Sequence, residues 1–185
     1  MAFEDVLWIQ GSDNMAGLSG DIFFVPKDDV DETALLALSL DADGVTLSSN
    51  IPLVALKKFF RIYHTRGTGK ITDQVVGERD AKSFENMAEF KFPGDTKALV
   101  AFKRQVLNTP GVYIARDANG KYRLFGITTV KDGDGNDVLT LDFPAYIESA
   151  SGDTGAGGGD AKGHTFQVKT EGVCPPLFYE GTIDV

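Results

Sequence analysis

The chain has 185 residues and a mass of 19.9 kDa, and its 42% hydrophobic content is enough to build a core without staples, so a single globular unit is expected. A formal charge of −9 argues against adhesive contact with phosphates, which calls for clustered Lys and Arg, although it does not forbid proximity to DNA. Cys174 is the only cysteine, which excludes an intrachain disulfide and fits a buried thiol in a reducing compartment.

The N-terminus carries Glu4 and Asp5 where a secretion signal needs positive charge, so residues 1–17 read as an arm rather than a leader. No stretch approaches the roughly 20 apolar residues that span a bilayer, and membrane insertion is not expected. Twenty-one glycines and thirteen phenylalanines, with apolar residues alternating in short runs between turn signals, describe a mainly β protein.

Residues 18–26 (LSGDIFFVP) read as the first strand, and residues 31–38 as a short helical turn with acids leading into Ala and Leu. Residues 53–65 (LVALKKFFRIYHT) predict a strand, central or at an interface, with Phe60 and Ile62 on one face and Phe59, Arg61 and Tyr63 on the other. Residues 66–69 turn the chain, residues 70–76 return as a strand, and residues 77–81 reverse it again. In the following strand, Phe84, Asn86, Ala88, Phe90 and Phe92 face one way, while Ser83, Glu85, Met87, Glu89 and Lys91 face the other. A lone ribbon of this kind is marginal in water, so its apolar residues, Ile71, Val75, Phe84, Phe90 and Phe92, need cover from the sheet or from a neighbouring copy.

Pro93 and Gly94 end that strand, and Asp95 or Thr96 can cap a helix over residues 97–107. Leu99, Phe102 and Val106 share one helix face and anchor it to the sheet, each burial contributing roughly 1.5–3 kcal/mol. Residues 111–115 and 121–129 flank Asp117-Ala118-Asn119-Gly120, a strong hairpin signal. Residues 138–149, interrupted by Pro144, supply another strand pair, and residues 164–170 and 178–183 complete the sheet. The Gly-rich stretch 151–163 cannot bury a core and reads as a flexible loop that orders only against a partner.

Chemical motifs are sparse. Asp132–Asp137 opens like a calcium loop, but Asp137 stands where glycine is wanted and Phe143 where a bidentate Glu belongs, so a solvated hairpin loop is expected. Residues 155–159 lack the strand, the Lys-Ser or Lys-Thr pair and the helix of a phosphate cradle. His64 and His164 have no ligand spacing to Cys174 or to each other, and no nucleophile motif appears. No catalytic, metal or cofactor-binding residues are assigned, and the chain is not expected to be an enzyme. Asp73, Glu78, Asp80, Glu85 and Glu89 crowd the hairpin, offset by Arg79, Lys82 and Lys91. Screening limits repulsion to about 8 Å, so these acids would act as a non-stick lining against a polyanion, with the bases pairing across subunits.

The order of hairpin, helix, Asp-Ala-Asn-Gly turn and Gly-rich loop before a final strand resembles that of major tail tube proteins of long-tailed bacteriophages. GERDAKSFENMAEFKFPG resembles a run of prophage structural proteins, especially of Bacteroidetes, and GHTFQVKTEGVCPPLFYEGTI is similar to their closing strands. The resemblance covers residues 69–185. It implies two packed antiparallel sheets with one flanking helix and a long β-hairpin, six copies per ring, and rings stacked into a tube around an inner β-barrel. Genome DNA would pass through the lumen without specific binding, past Asp73, Glu78, Asp80, Glu85 and Glu89. The partners implied are other copies and other tail proteins. Residues 1–17 and 151–163 would join stacked rings, and the protein would be made in the host cytoplasm and end in the virion tail. The inner tube of a contractile injection or secretion system shares this implied fold. A monomeric β-sandwich binding a small ligand is the reading from another class, suggested by the aromatic content.

Overall fold

The computed structural model describes residues 5–6, 10, 14–156 and 162–185. The chain is mainly β, with 44% of the described residues in strands and 11% in helices. In order it forms β1 (Leu18–Pro26), a 3-10 turn (Lys27–Asp29), α1 (Glu32–Leu36), β2 (Thr46–Leu47), β3 (Phe60–Ile62), β4 (Lys70–Val76), β5 (Ser83–Pro93) and α2 (Lys97–Val106). There follow β6 (Gly111–Asp117), β7 (Tyr122–Phe125), β8 (Thr128–Lys131), β9 (Asp137–Thr140), β10 (Tyr146–Asp153), β11 (Gly163–Gly172) and β12 (Leu177–Tyr179).

A six-stranded sheet in the order β2-β12-β7-β6-β1-β3 packs on a four-stranded sheet in the order β10-β11-β5-β4, and β8 and β9 form a separate ribbon. All pairs are antiparallel except β12 with β2. Alternation along β1 and β6 sends Ile22, Phe24, Tyr113 and Ala115 into the core shared with Ala88, Phe90, Phe166 and Val168 of the other sheet. Val25, Val112, Ile114 and Leu124 point to the opposite face, where Leu35 of α1 and Leu139 and Leu141 around the ribbon cover them. The six-stranded sheet is thus buried on both sides, which is why Gly111–Ala115 is apolar throughout.

The helix α2 begins at Thr96, whose hydroxyl accepts from the Leu99 amide at 3.1 Å, and it buries Leu99 and Val106. Asp31 caps α1 through the Ala34 amide in the same way.

Four expectations are corrected. Residues 53–65 do not make a long central strand: only Phe60–Ile62 pairs, and it is an edge strand on β1. Residues 53–58 are diverted into a turn in which the Val54 amide donates to the Asp29 carbonyl, the Lys57 amide to the Val54 carbonyl, and Leu56 takes φ +68°. The stretch 121–129 is split between two sheets at Gly126, whose φ is +93° and where an added Cβ would sit 2.4 Å from the Gly111 carbonyl oxygen. The Gly-rich loop is shorter than 151–163, because Ser151 to Asp153 finish β10 and Gly163 opens β11 opposite Asp153; residues 157–161 lie outside the described residues. The last strand stops at Tyr179, whose hydroxyl donates to the Thr182 carbonyl. Of the arm 1–17, residues 1–4, 7–9 and 11–13 lie outside the described residues. Its end is tied to the β6–β7 turn, where Met15 exchanges hydrogen bonds with the Asn119 side chain.

Candidate assembly surface

The hairpin β4–β5 lies within the four-stranded sheet, with Val76 opposite Ser83 across a bend of residues 77–82. Gly77 makes that bend possible: its φ is +94°, and a Cβ there would lie 2.2 Å from the Ala81 carbonyl oxygen. Asp80 also adopts positive φ, at +67°.

On the inner face, Phe90 stacks on Phe166 with ring centroids 5.4 Å apart, and Phe102 of α2 meets Phe166 edge-on at 6.2 Å. Leu99, Val106 and Phe90 are buried, while Phe102, Phe92 and Ile71 pack against the same core partly exposed. Of the five expected packing residues only Phe90 is fully covered: besides Ile71 and Phe92, Phe84 is half-buried and Val75 is 53% exposed. Three buried residues of the sandwich keep side-chain polar atoms with no partner among the described residues, namely both ring nitrogens of His64, Asn86 Oδ1 and the Tyr113 hydroxyl. Burial pushes the Tyr113 hydroxyl well above the usual phenol range.

The five hairpin acids do not share a face. Glu85 and Glu89 project to the outer side, whereas Asp73 sits opposite Asn86 on the inner-facing row and comes near Arg123, where burial holds the guanidinium below its ordinary value against the opposing charges of Asp117 and Asp73. Glu78 and Asp80 lie exposed in the bend. Nor are the outer acids unpaired within the chain. Lys169 Nζ of β11 lies 2.9 Å from Glu85 and 3.9 Å from Glu171, and Lys70 Nζ lies 3.8 Å from Glu89. Gln167 donates to Glu89 at 2.9 Å and accepts from Ser149 at 2.7 Å. Glu85 holds the Lys169 ammonium above its ordinary value. Sequence reasoning missed Lys169 and Gln167; their alternation with Glu171 in residues 167–171 is the signal that places all three on one face of β11. The bases Arg79 and Lys82 serve the bend itself, Arg79 beside Asp80 at 3.9 Å and Lys82 donating to the Gly77 carbonyl.

Strand alternation and register give the outer face Glu85, Glu89, Glu171 and Asp153, with Glu148 at the β10 register shift beside Lys169, against Lys70, Lys91 and Lys169, a mixed ladder with an excess of acids. Among the described residues, nothing pairs with the outer edges of β4, seven residues long, or β10, eight residues long. Each presents a row of backbone donors and acceptors to a further strand.

The Asp132 carboxylate is occupied by its own turn, accepting from the amides of Asp134 and Asn136 and from the Asn136 side chain. No group of three or more His, Cys, Asp or Glu among the described residues could hold a metal ion. No helix among them is long and apolar enough to cross a membrane. Comparison with protein-family models, with curated proteins and with solved structures found no match to this chain.

Proposed function

We propose that the chain is a structural subunit of a phage, or phage-derived, tail tube, assembling into stacked rings around a channel for DNA. The observation that carries this reading is the four-stranded sheet, apolar on its core face, charged with an excess of acids on its outer face, and, among the described residues, free at two edges of nearly equal length. Adjacent strands in the order β10-β11-β5-β4 alternate in direction, so β4 of one copy meets β10 of the next antiparallel, and repetition closes the sheet without leaving an edge. With strands about 4.8 Å apart and tilted by about 40°, six such sheets make a barrel roughly 48 Å across at the backbone, and inward side chains reduce the bore to about 35 Å. A duplex passes through such a bore. The lining does not hold a polyanion, because its carboxylates outnumber its lysines, while the pairing of Glu85 with Lys169 and Glu89 with Lys70 keeps the repulsion modest. The protein is then made in the host cytoplasm, with other tail proteins as its further partners and the virion tail as its place of action.

Negative-stain microscopy of the purified chain tests this: rings or tubes are expected, and a monomer that persists at high concentration overturns it. A sheath-encoding neighbour gene would place the same tube in a contractile machine. One observation favours the ligand-binding alternative, a cleft of about 260 Å³ lined by Phe24, Phe60, Phe102 and Val106. It is smaller than the roughly 300–1,000 Å³ of usual ligand sites, and a monomer carrying a co-purifying apolar compound would support it.

A further inference from the structure

The turn that replaces the expected strand at residues 53–58 holds its leucine in an unusual way. Val54 accepts from the Lys57 amide at 3.0 Å, which makes Leu56 the third residue of a four-residue turn, with φ +68°. That position favours glycine, because a side chain crowds the backbone when φ is positive. Leu56 is nonetheless there, and its side chain is fully exposed. The turn is fastened to the body by the Val54 amide on the Asp29 carbonyl and by Lys57 Nζ at 2.9 Å from Asp29. Lys58 beside it makes no ion pair among the described residues. A strained, rigidly held, solvent-facing leucine next to a lysine gains nothing for the isolated fold, so its use lies outside the isolated chain.

The opposite edge of the same sheet carries a complementary surface. Val45, which leads into β2 and accepts from the Phe178 amide, is 38% exposed there, with Asp41 and Asp43 just before it in the chain. The Thr46 hydroxyl and the Val45 and Thr46 amides hold the Asp43 carboxylate below its ordinary range, so it stays charged. Topology puts both features at one end of the molecule. From β3 through β1, β6, β7 and β12 to β2, four antiparallel pairings and one parallel pairing leave the two edge strands pointing the same way. Residues 41–45 lead into one and residues 54–58 into the other.

We infer that Leu56 and Lys58 of one copy dock beside Val45, Asp41 and Asp43 of the next copy, a head-to-tail contact between the β3 edge of one six-stranded sheet and the β2 edge of its neighbour. The contact rests on the ring reading above and names the surface that joins the outer layer of the ring.

The experiment compares the full chain with variants by sedimentation across concentration, negative-stain microscopy and thermal unfolding. Leu56→Gly relieves the positive φ, so its melting temperature is expected to equal or exceed that of the parent while the concentration for half-assembly rises at least tenfold. A merely structural role would not produce that opposition. Lys58→Glu is expected to weaken assembly, and adding Asp41→Lys to restore it to within about threefold. In a Cys174→Ser background, Leu56→Cys and Val45→Cys place one cysteine before each edge strand of the six-stranded sheet, and oxidation between copies joins them in series, whereas a bond within one copy gives no ladder. A ladder of cross-linked oligomers is expected. Tubes from the parent chain with unchanged assembly of Leu56→Gly and no ladder would overturn this contact alone, whereas a parent chain that stays monomeric overturns the ring reading with it.

Discussion

Replacing Phe90 by alanine separates what holds the subunit together from what joins subunits. Phe90 is fully buried, stacked on Phe166 at 5.4 Å with an interplanar angle of 15°, and Phe166 in turn meets Phe102 of α2. Removing the ring takes one side from that aromatic column and leaves a cavity between two sheets and a helix that cannot all move inward. Phenylalanine-to-alanine changes at such sites cost about 3–5 kcal/mol. For a chain of this size each kcal/mol lowers the melting temperature by roughly 2–4 °C, so a fall of about 6–20 °C is expected. The assay is a thermal melt followed by circular dichroism at a concentration below that at which the parent chain assembles. Val75→Asp is the counterpart: Val75 is 53% exposed on the edge strand, and substitutions there are expected to shift stability by about 1 kcal/mol or less while preventing β4 from joining another copy. A Phe90→Ala melting temperature within about 2 °C of the parent, or a Val75→Asp chain that unfolds, would refute the assignment of these two residues to core and interface.

Thr96→Ala removes the acceptor for the Leu99 amide and is expected to cost about 1 kcal/mol, read as a lower denaturant midpoint with unchanged slope. Lys169→Met removes the partner of Glu85 and leaves a carboxylate at that position without its ammonium. Because the folded state raises the Lys169 pKa, its contribution is fully present below the ordinary lysine value near about 10.4 and is lost as pH rises through the higher folded value. Denaturation of parent and variant is therefore expected to differ by a constant amount from neutral pH to about pH 9 and to converge at more alkaline pH; a gap unchanged at high pH would contradict the pairing.

The strands β1, β4 and β5 and the helix α2 were legible because their signals are local: alternation, a proline-glycine stop and a threonine cap. The turn at residues 53–58 was not, since nothing in the residues Ala-Leu-Lys-Lys announces a leucine at positive φ; the hydrogen bond to Asp29 that fixes it comes from a segment more than twenty residues away. Grouping Asp73 with Glu85 and Glu89 failed for a related reason. Which face a β4 residue shares with β5 depends on the length of the bend, and pairing Val76 with Ser83 places Asp73 opposite Asn86. Counting the bend one residue differently would have reversed the assignment. The ion pair of Glu85 with Lys169 joins strands far apart in sequence and becomes visible only once β11 is known to lie beside β5.

The two free edges carry features that restrain them while the chain is alone. β10 has a register shift between Ile147 and Ser149 and ends in Asp153, and β4 carries Lys70 on one face and Asp73 on the other. A bulge and charges on an edge discourage indiscriminate strand addition, because a wrong partner leaves a kinked ladder and unpaired charges. The same features become selective when the partner is another copy with the matching edge, since a fixed bulge admits one register. Edge pairing in the inner sheet and a leucine anchor in the outer sheet would then act at two radii of one ring. Agreement between two separated contacts fixes the angle between subunits more tightly than either alone, and that angle decides whether a head-to-tail assembly closes or runs on as an open helix.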